Sequence, residues 1–180
     1  MRFAYADPPY VGYAKYYKDH EDYAGEVDHA KLIDTLVQDF PDGWALSCHS
    51  PSLKDILAMC PEGVRVLAWV KPFASWKPSV RLAYTWEPVV FFGGRKRTKK
   101  QNTVRDHISC SITLKKGLVG VKPRDFCIWL FSVFNIQEGD EFVDMFPGSG
   151  AVTRHLESYM DMIRAHVDGE QSALNLEDVK

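Results

Sequence analysis

The sequence lacks the features of a metal-binding or disulfide-linked protein. Its four cysteines, Cys48, Cys60, Cys110 and Cys127, include no Cys-x-x-Cys pair, and its six histidines are scattered without the spacing of zinc ligands. No metal site is therefore expected. The cysteines are predicted to be free, buried thiols in a protein of a reducing compartment.

Long apolar runs and a strong net charge are also missing. No stretch approaches the length of a transmembrane helix, and the chain enters a strand pattern without a signal peptide, so we expect a cytoplasmic protein, or a nuclear one in a eukaryote, without membrane contact. The formal net charge of −2 excludes a uniformly basic coat but not a local basic site. With no internal repeat or linker, the 180 residues are predicted to form a single domain.

Short apolar runs alternate with helical patterns along most of the chain. Strands are predicted at 2–6, 44–48, 64–70, 87–92 and from 142 onward. Helices are predicted after Asp28, after Ser52, over 123–136 and over about 151–165. This alternation predicts an α/β domain with a mostly parallel sheet. Residues 95–120 show no clear period, and a frayed polar tail is predicted from about 166 to 180.

The first strand is followed directly by Asp7-Pro8-Pro9-Tyr10. This tetrapeptide combines a hydrogen-bond acceptor, two residues that fix the backbone and an aromatic ring. Those parts suit a pocket that holds a flat base and accepts hydrogen bonds from its exocyclic amine. Alone, the motif is more simply a turn after a strand, so a second signal is needed.

The second signal is a glycine-rich turn after the last predicted strand. Asp144-Met145-Phe146-Pro147-Gly148-Ser149-Gly150 ends that strand with an acid and leads into a helix pattern. Glycines let a ligand approach the backbone closely, and the start of a helix offers free N–H groups. A strand, glycine turn and helix in this order is how open α/β sheets build cofactor sites.

Together these motifs resemble those of the amino-methyltransferases that use S-adenosylmethionine, in the permuted order in which the catalytic motif precedes the cofactor motif. The resemblance covers about residues 3–156. It includes Lys122-Pro123 before the cofactor strand and a central strand pair, Trp69-Val70-Lys71-Pro72 and Glu87-Pro88-Val89-Val90-Phe91 with Arg81 between them. It implies a Rossmann-like methyltransferase fold, an open doubly wound sheet.

The resemblance implies methyl transfer to the N6 amine of adenine in DNA, with the base flipped into a pocket formed by Asp7, Pro8, Pro9 and Tyr10. Asp7 favours adenine because serine commonly replaces it in the enzymes that methylate the N4 amine of cytosine. Enzymes that act on RNA adenine usually carry tryptophan at the position of Tyr10. Cytosine, RNA adenine and an inactive nucleic-acid-binding relative stay open as alternatives.

The resemblance also implies which residues hold the cofactor. They are Asp7, Lys122, Pro123, Asp144, Phe146, Pro147, Gly148, Ser149, Gly150 and Asp168. Family members continue past the cofactor helix into two more strands, the first ending in an acid that holds the ribose hydroxyls. Here residues 163–168 are either a rudimentary strand with Asp168 as that acid or the end of a helix. The sheet is therefore predicted to be trimmed at one edge.

A basic segment lies where the family inserts its target-recognition region, over residues 95–120. Six of the eleven residues from 95 to 105 are basic: Arg95, Lys96, Arg97, Lys99, Lys100 and Arg105. A charge run is usually a solvated loop, but at this place phosphate contact is the better interpretation, and it predicts a nucleoid-associated protein in bacteria. The segment is short, which favours a homodimer or a partner subunit. The tyrosine-rich loop over 11–25 is a candidate lid.

Overall fold

The structure is a computed structural model that describes residues 1–12, 25–73, 80–112 and 121–177, with side chains described as far as 165. Within these ranges, six strands and four α-helices follow one another. In order, they are β1 (Arg2–Ala6), α1 (His29–Asp39), β2 (Gly43–Ser47), α2 (Leu53–Met59), β3 (Arg65–Val70), β4 (Trp86–Gly93), β5 (His107–Ser109), α3 (Arg124–Phe134), β6 (Glu141–Asp144) and α4 (Ala151–Glu177). A short 3₁₀ turn, Ser50–Ser52, precedes α2.

The strands form one sheet in the order β5-β3-β4-β2-β1-β6. The pairs β1–β2, β1–β6 and β3–β5 are parallel, while β4 runs antiparallel to both β2 and β3. Five strands therefore point the same way and one is reversed, which confirms the predicted mostly parallel sheet. Because β4 is reversed, the chain leaves it at the amino edge of the other strands.

Helices cover both faces of the sheet, and the alternating side chains of β1 show how the core divides. Phe3 and Tyr5 belong to a cluster with α3 and α4, whereas Ala4 and Ala6 belong to a cluster with α1 and α2. All four of these side chains are 0% exposed. A strand that is apolar on both faces is typical of a sheet covered on both sides. The four cysteines are free, and Cys60 is the one that is half-buried rather than buried.

Two predictions about the irregular regions need correction. Residues 107–109 within the basic segment form an edge strand, β5, which three residues are too few to reveal by periodicity. Residues 163–168 are helical, and α4 continues to Glu177, so the alternative of a strand ending at Asp168 is wrong. Tyr159 and Met160 pack α4 against the core. No helix in the ranges given above is long and apolar enough to cross a membrane.

Candidate active site

The two predicted motifs meet at one edge of the sheet. Strands β1 and β6 are parallel neighbours, with Tyr5 opposite Asp144, and the Met145 N–H donates to the Tyr5 carbonyl at 2.9 Å. Both chains therefore leave the sheet side by side, at the carboxyl ends of the parallel strands. Open α/β sheets bind their ligands at this edge. The structure brings Asp7 and the glycine turn together, as the sequence predicts.

Asp7 stands at the mouth of this edge. Its side chain is 22% exposed, and its Oδ1 lies 3.0 Å from Lys122 Nζ. Pro8 is buried. Its ring fixes the backbone angle φ, so the position of the Pro8 carbonyl is set before a ligand binds. Asp7 thus offers a carboxylate oxygen to a ligand while Lys122 holds the carboxylate in place.

Tyr10 is part of a row of aromatic rings. Its ring stacks on His49 with centroids 5.4 Å apart and an interplanar angle of 4°, and His49 lies 4.6 Å from the ring of Tyr84. His49 follows β2 and Tyr84 precedes β4, so both belong to the same edge of the sheet. Neither residue is singled out by the sequence motifs. The row places three aromatic rings at this edge, with those of Tyr10 and His49 parallel and that of Tyr84 inclined by 52° to His49.

Beneath Asp7 the structure shows a chain of alternating charges that the sequence analysis missed. Lys122 Nζ lies 2.6 Å from Glu87 Oε1, and Glu87 Oε2 lies 2.8 Å from Lys71 Nζ. We call Lys71, Glu87, Lys122 and Asp7 the ionic chain. Lys122 and Glu87 are each only 5% exposed, and the ring of Trp69 lies 4.4 Å from Lys71 Nζ and 5.2 Å from Lys122 Nζ. Two cations and two anions balance, which is how buried charges are tolerated.

The ionic chain gives its carboxylates different proton affinities. Burial would raise the pKa of Glu87, but the charges of Lys122 and Lys71 outweigh burial and lower this pKa to about 2. Burial raises the pKa of Asp7 from 3.8 to about 6, because the Lys122 charge is shared with Glu87 and does not offset the loss of water. Lys122 itself has a raised pKa, since Asp7 and Glu87 together outweigh its burial. Lys122 makes two ionic contacts within the protein, and its predicted contact with a cofactor stays a prediction.

The glycine turn contains a buried oxygen that lacks a partner. Asp144 Oδ1 accepts a hydrogen bond from the Phe146 N–H at 3.3 Å, but Oδ2 is buried and has no hydrogen-bond partner in the described part of the chain. Burial also raises the pKa of Asp144. A buried carboxylate oxygen left unpaired is costly, so it marks a place for a donor from a ligand. An ammonium group would satisfy it.

The backbone of the turn leaves room for that ligand. Gly148 and Gly150 have positive φ values of 45° and 69°, a region that favours glycine. A Cβ added to Gly148 would meet nothing nearer than the Phe146 carbonyl at 4.0 Å, so the space above this residue is open. The turn is closed by the Gly150 N–H donating to the Pro147 carbonyl at 2.6 Å, and Arg154 Nη1 donates to the Ser149 carbonyl at 2.7 Å.

Asp168 is not brought to this turn. It lies 17 residues beyond the first residue of α4, Ala151, and α4 starts at the turn. At a rise of 1.5 Å per residue, that is about 25 Å along the helix. The predicted role of Asp168 at the end of a strand is therefore wrong. The predicted lid tyrosines Tyr13, Tyr16, Tyr17 and Tyr23 lie outside the described residues.

The basic segment also lies away from Asp7. After β4 the chain emerges at the amino edge of the parallel strands, where Gly93 pairs with Gly43, the first residue of β2. There the Arg95 N–H donates to the Phe134 carbonyl at 2.9 Å. Six basic side chains were predicted to contact nucleic acid: Arg95, Lys96, Arg97, Lys99, Lys100 and Arg105. The first five follow β4 directly and Arg105 precedes β5, so the structure places them at the edge opposite to Asp7 and Asp144.

Comparisons with known proteins agree with the fold. No protein-family model matches the chain, and no curated protein matches it in sequence. Among solved structures, the crystal structure of the M1.HpyAVI-SAM complex matches with a TM-score of 0.58 and 17% identity, over 88% of this chain and 78% of that one. The crystal structure of M1.HpyAVI matches with a TM-score of 0.57 and 17% identity, over 87% of this chain and 76% of that one. The likeness confirms the Rossmann-like, doubly wound α/β fold.

Proposed function

We propose that this chain transfers a methyl group from S-adenosylmethionine to the N6 amine of adenine in DNA. The observation that carries the proposal is the meeting of two carboxylates at one sheet edge. Asp7 is positioned to accept from an amine, and Asp144 holds a buried oxygen that needs a donor. The motif resemblance supports the proposal, as does the shared fold with M1.HpyAVI, whose structure is a complex with SAM.

S-adenosylmethionine fits the glycine turn. Its ammonium group would satisfy Asp144 Oδ2, and its amino-acid part would lie in the open space above Gly148. Phe146 and Pro147 would line the same side, with the backbone of Ser149 and Gly150 close by. When bound, the cofactor supplies a methyl group made electrophilic by a sulfonium. The protein supplies the donor and acceptor groups that fix its position.

The target amine needs activation, which Asp7 can provide. The lone pair of an exocyclic amine is delocalised into the base, so the amine is a poor nucleophile. Hydrogen bonds from the amine to Asp7 and to the Pro8 carbonyl favour a tetrahedral nitrogen with its lone pair directed out of the base plane. This is catalysis by positioning and electrostatics, without a covalent enzyme intermediate.

Tyr10 is the proposed platform for the base. Base–aromatic stacking is worth about 1–3 kcal/mol per base in nucleic-acid binders. The base has to leave the duplex stack to reach this edge, because its amine is otherwise inaccessible. Asp7 favours adenine over cytosine, and tyrosine rather than tryptophan at residue 10 favours DNA over RNA. Both choices rest on the motif resemblance.

One observation favours a second candidate function, a nucleic-acid-binding module without activity. Residues 163–168 are helical, so the chain shows no strand-end acid for the cofactor ribose within the described ranges. A cofactor site without this acid would bind weakly. Calorimetry with S-adenosylmethionine separates the two candidates, because the module predicts no binding heat.

The proposal is tested by a methyl-transfer assay on single- and double-stranded DNA and RNA, followed by nucleoside mass spectrometry. We expect N6-methyladenine in DNA. In parallel, calorimetry should show S-adenosylmethionine binding to the wild type and much weaker binding to Asp144→Asn, with Asp161→Asn on the exposed side of α4 as the matched control. Methylated cytosine, methylation of RNA alone, or no cofactor binding by the wild type would each refute the proposal in its present form.

The pKa of Asp7 predicts a pH dependence of the reaction. Its carboxylate is the required acceptor, and burial raises its pKa to about 6. Activity should therefore be constant above this pH and fall about tenfold per pH unit below it, as a single group becomes protonated. Glu87→Gln removes a negative charge near Asp7 and lets Lys122 pair with Asp7 alone. Both changes lower the pKa of Asp7, so the fall in activity should begin at a lower pH. If the fall in activity occurs at the same pH in Glu87→Gln as in the wild type, a group other than Asp7 is responsible for it.

A further inference from the structure

The loop over residues 95–106, which we call the basic loop, carries charge that the candidate active site does not use. Lys96, Lys99, Lys100 and Arg105 are exposed. Within the described ranges, none of these four side chains forms an ion pair with a carboxylate. The chain as a whole carries a net charge of −2, so the unpaired positive charges of the basic loop contrast with the slightly negative charge of the whole chain.

The basic loop is held in one conformation by Asn135. This residue ends α3 with a left-handed backbone, φ 58°, and its Nδ2 donates to the Lys96 carbonyl at 3.4 Å. Gln101 Nε2 donates to Asn135 Oδ1 at 3.0 Å, and the Thr98 N–H donates to Gln101 Oε1 at 2.9 Å. The loop is therefore ordered before any ligand binds. A preordered surface loses less conformational entropy on binding.

Beside the basic loop is a cavity of about 260 Å³ rich in guanidinium groups. Four arginines line it, Arg65, Arg95, Arg97 and Arg105, together with one carboxylate, Asp106, which pairs with Arg65 at 3.4 Å. Arg95 Nη2 is anchored by Asp140 at 2.6 and 2.8 Å, and Arg97 by the Ser132 carbonyl. The Nε of Arg95 is buried and has no hydrogen-bond partner among the residues described. Fixed guanidinium groups with spare N–H donors match phosphate oxygens.

The basic loop and this cavity lie at one end of the strands, and Asp7 lies at the other end. They lie at the amino edge of β1 and β2, and Asp7 follows the carboxyl end of β1, Arg2–Ala6. Five residues of strand span roughly 16 Å. Phosphates that contact the basic loop are therefore not those next to a base held by Asp7 and Tyr10.

We propose that the basic loop and the arginine cavity form a second binding surface for the phosphate backbone of nucleic acid, on the opposite edge of the sheet from the active site. Several exposed cations along one loop suit a chain of phosphates better than a single phosphate. The choice of nucleic acid as the polyanion rests on the proposed function. On this basis a long DNA contacts the protein at two places, whereas a short oligonucleotide contacts the active site alone.

The test compares two variants that lose the same charge. Lys99→Gln/Lys100→Gln removes two exposed cations from the basic loop, and the control Arg2→Gln/Arg164→Gln removes two exposed cations that are already paired with Glu141 and Glu138. Affinity for long duplex DNA is measured by fluorescence anisotropy over a range of salt concentrations. We expect the loop variant to bind about tenfold or more weakly, with a log–log salt slope reduced by about two, and the control to change little.

Activity separates this inference from the proposed function. The loop variant should raise KM for long DNA and leave kcat, and all constants for a short oligonucleotide, unchanged. Loss of DNA binding in the loop variant supports the second surface even if no methyl transfer is found. Unchanged affinity and salt slope would overturn the surface even if the enzyme is active. The surface would also be overturned if the loop variant lost affinity only for vesicles of anionic phospholipid, or if the control variant lost as much affinity for DNA as the loop variant.

Discussion

Replacing Asp7 with alanine is expected to lower the rate of methyl transfer by about 10²–10³-fold or more, the usual effect of removing one group that stabilises a transition state. The carboxylate is the acceptor that holds the amine with its lone pair directed at the methyl group. Alanine leaves the amine planar and poorly oriented. Single-turnover kinetics with saturating DNA and cofactor measures the effect on the chemical step.

Two controls test whether the lower rate reflects the lost carboxylate of Asp7 rather than lost cofactor binding. Asp7→Asn keeps one acceptor oxygen at the same place, so part of the activity should return. Calorimetry should show that the alanine variant still binds S-adenosylmethionine, because Asp144 and the glycine turn are unchanged. Full activity in Asp7→Ala would remove Asp7 from the catalytic role.

Replacing Lys122 with methionine should destabilise the fold by about 3–5 kcal/mol, because it leaves the carboxylates of Glu87 and Asp7 with one cation, Lys71, in place of two. Lys122 and Glu87 are each only 5% exposed and lie 2.6 Å apart. Methionine fills much of the lysine volume, so the loss reports charge rather than a cavity. Urea unfolding measures the change in the free energy of unfolding.

A double variant distinguishes charge from packing at this position. Lys122→Met/Glu87→Leu removes the two most buried charges of the ionic chain and leaves Lys71 and Asp7, which are 21% and 22% exposed. Replacing a buried pair with apolar side chains is often neutral. The double variant should therefore be more stable than Lys122→Met alone. If adding Glu87→Leu lowers the stability further, packing rather than charge is what Lys122 provides.

Much of the fold could be predicted from the sequence because its signals are local. The apolar runs of β1 and β6, the acid at the end of each and the glycines at 148 and 150 identify two strands and the edge where they meet. The capping Asp28 is confirmed, since its side chain accepts from the Lys31 N–H. By contrast, β5 has only three residues, His107–Ser109, and depends on pairing with β3 rather than on its own pattern.

The parts of the site that the sequence did not predict depend on partners far apart in the chain. Glu87 and Lys122 are 35 residues apart, and Arg95 and Asp140 are 45 residues apart. No local pattern indicates such pairs. The direction of β4 could not be predicted either, because an apolar run has the same pattern in a parallel and in an antiparallel strand. That reversal is what moves the basic loop to the edge away from Asp7.

The position of β6 has a consequence for local stability. In the described residues this strand is hydrogen-bonded to β1 alone, and it carries Asp144 at its end. A strand with one neighbour can open without disturbing the rest of the sheet, so its amides should exchange with solvent through low-energy local openings. A ligand held by Asp144 stabilises only the closed form. Occupancy of the site and protection of this strand from exchange therefore rise together, and this end of the sheet is most stable when a ligand is bound.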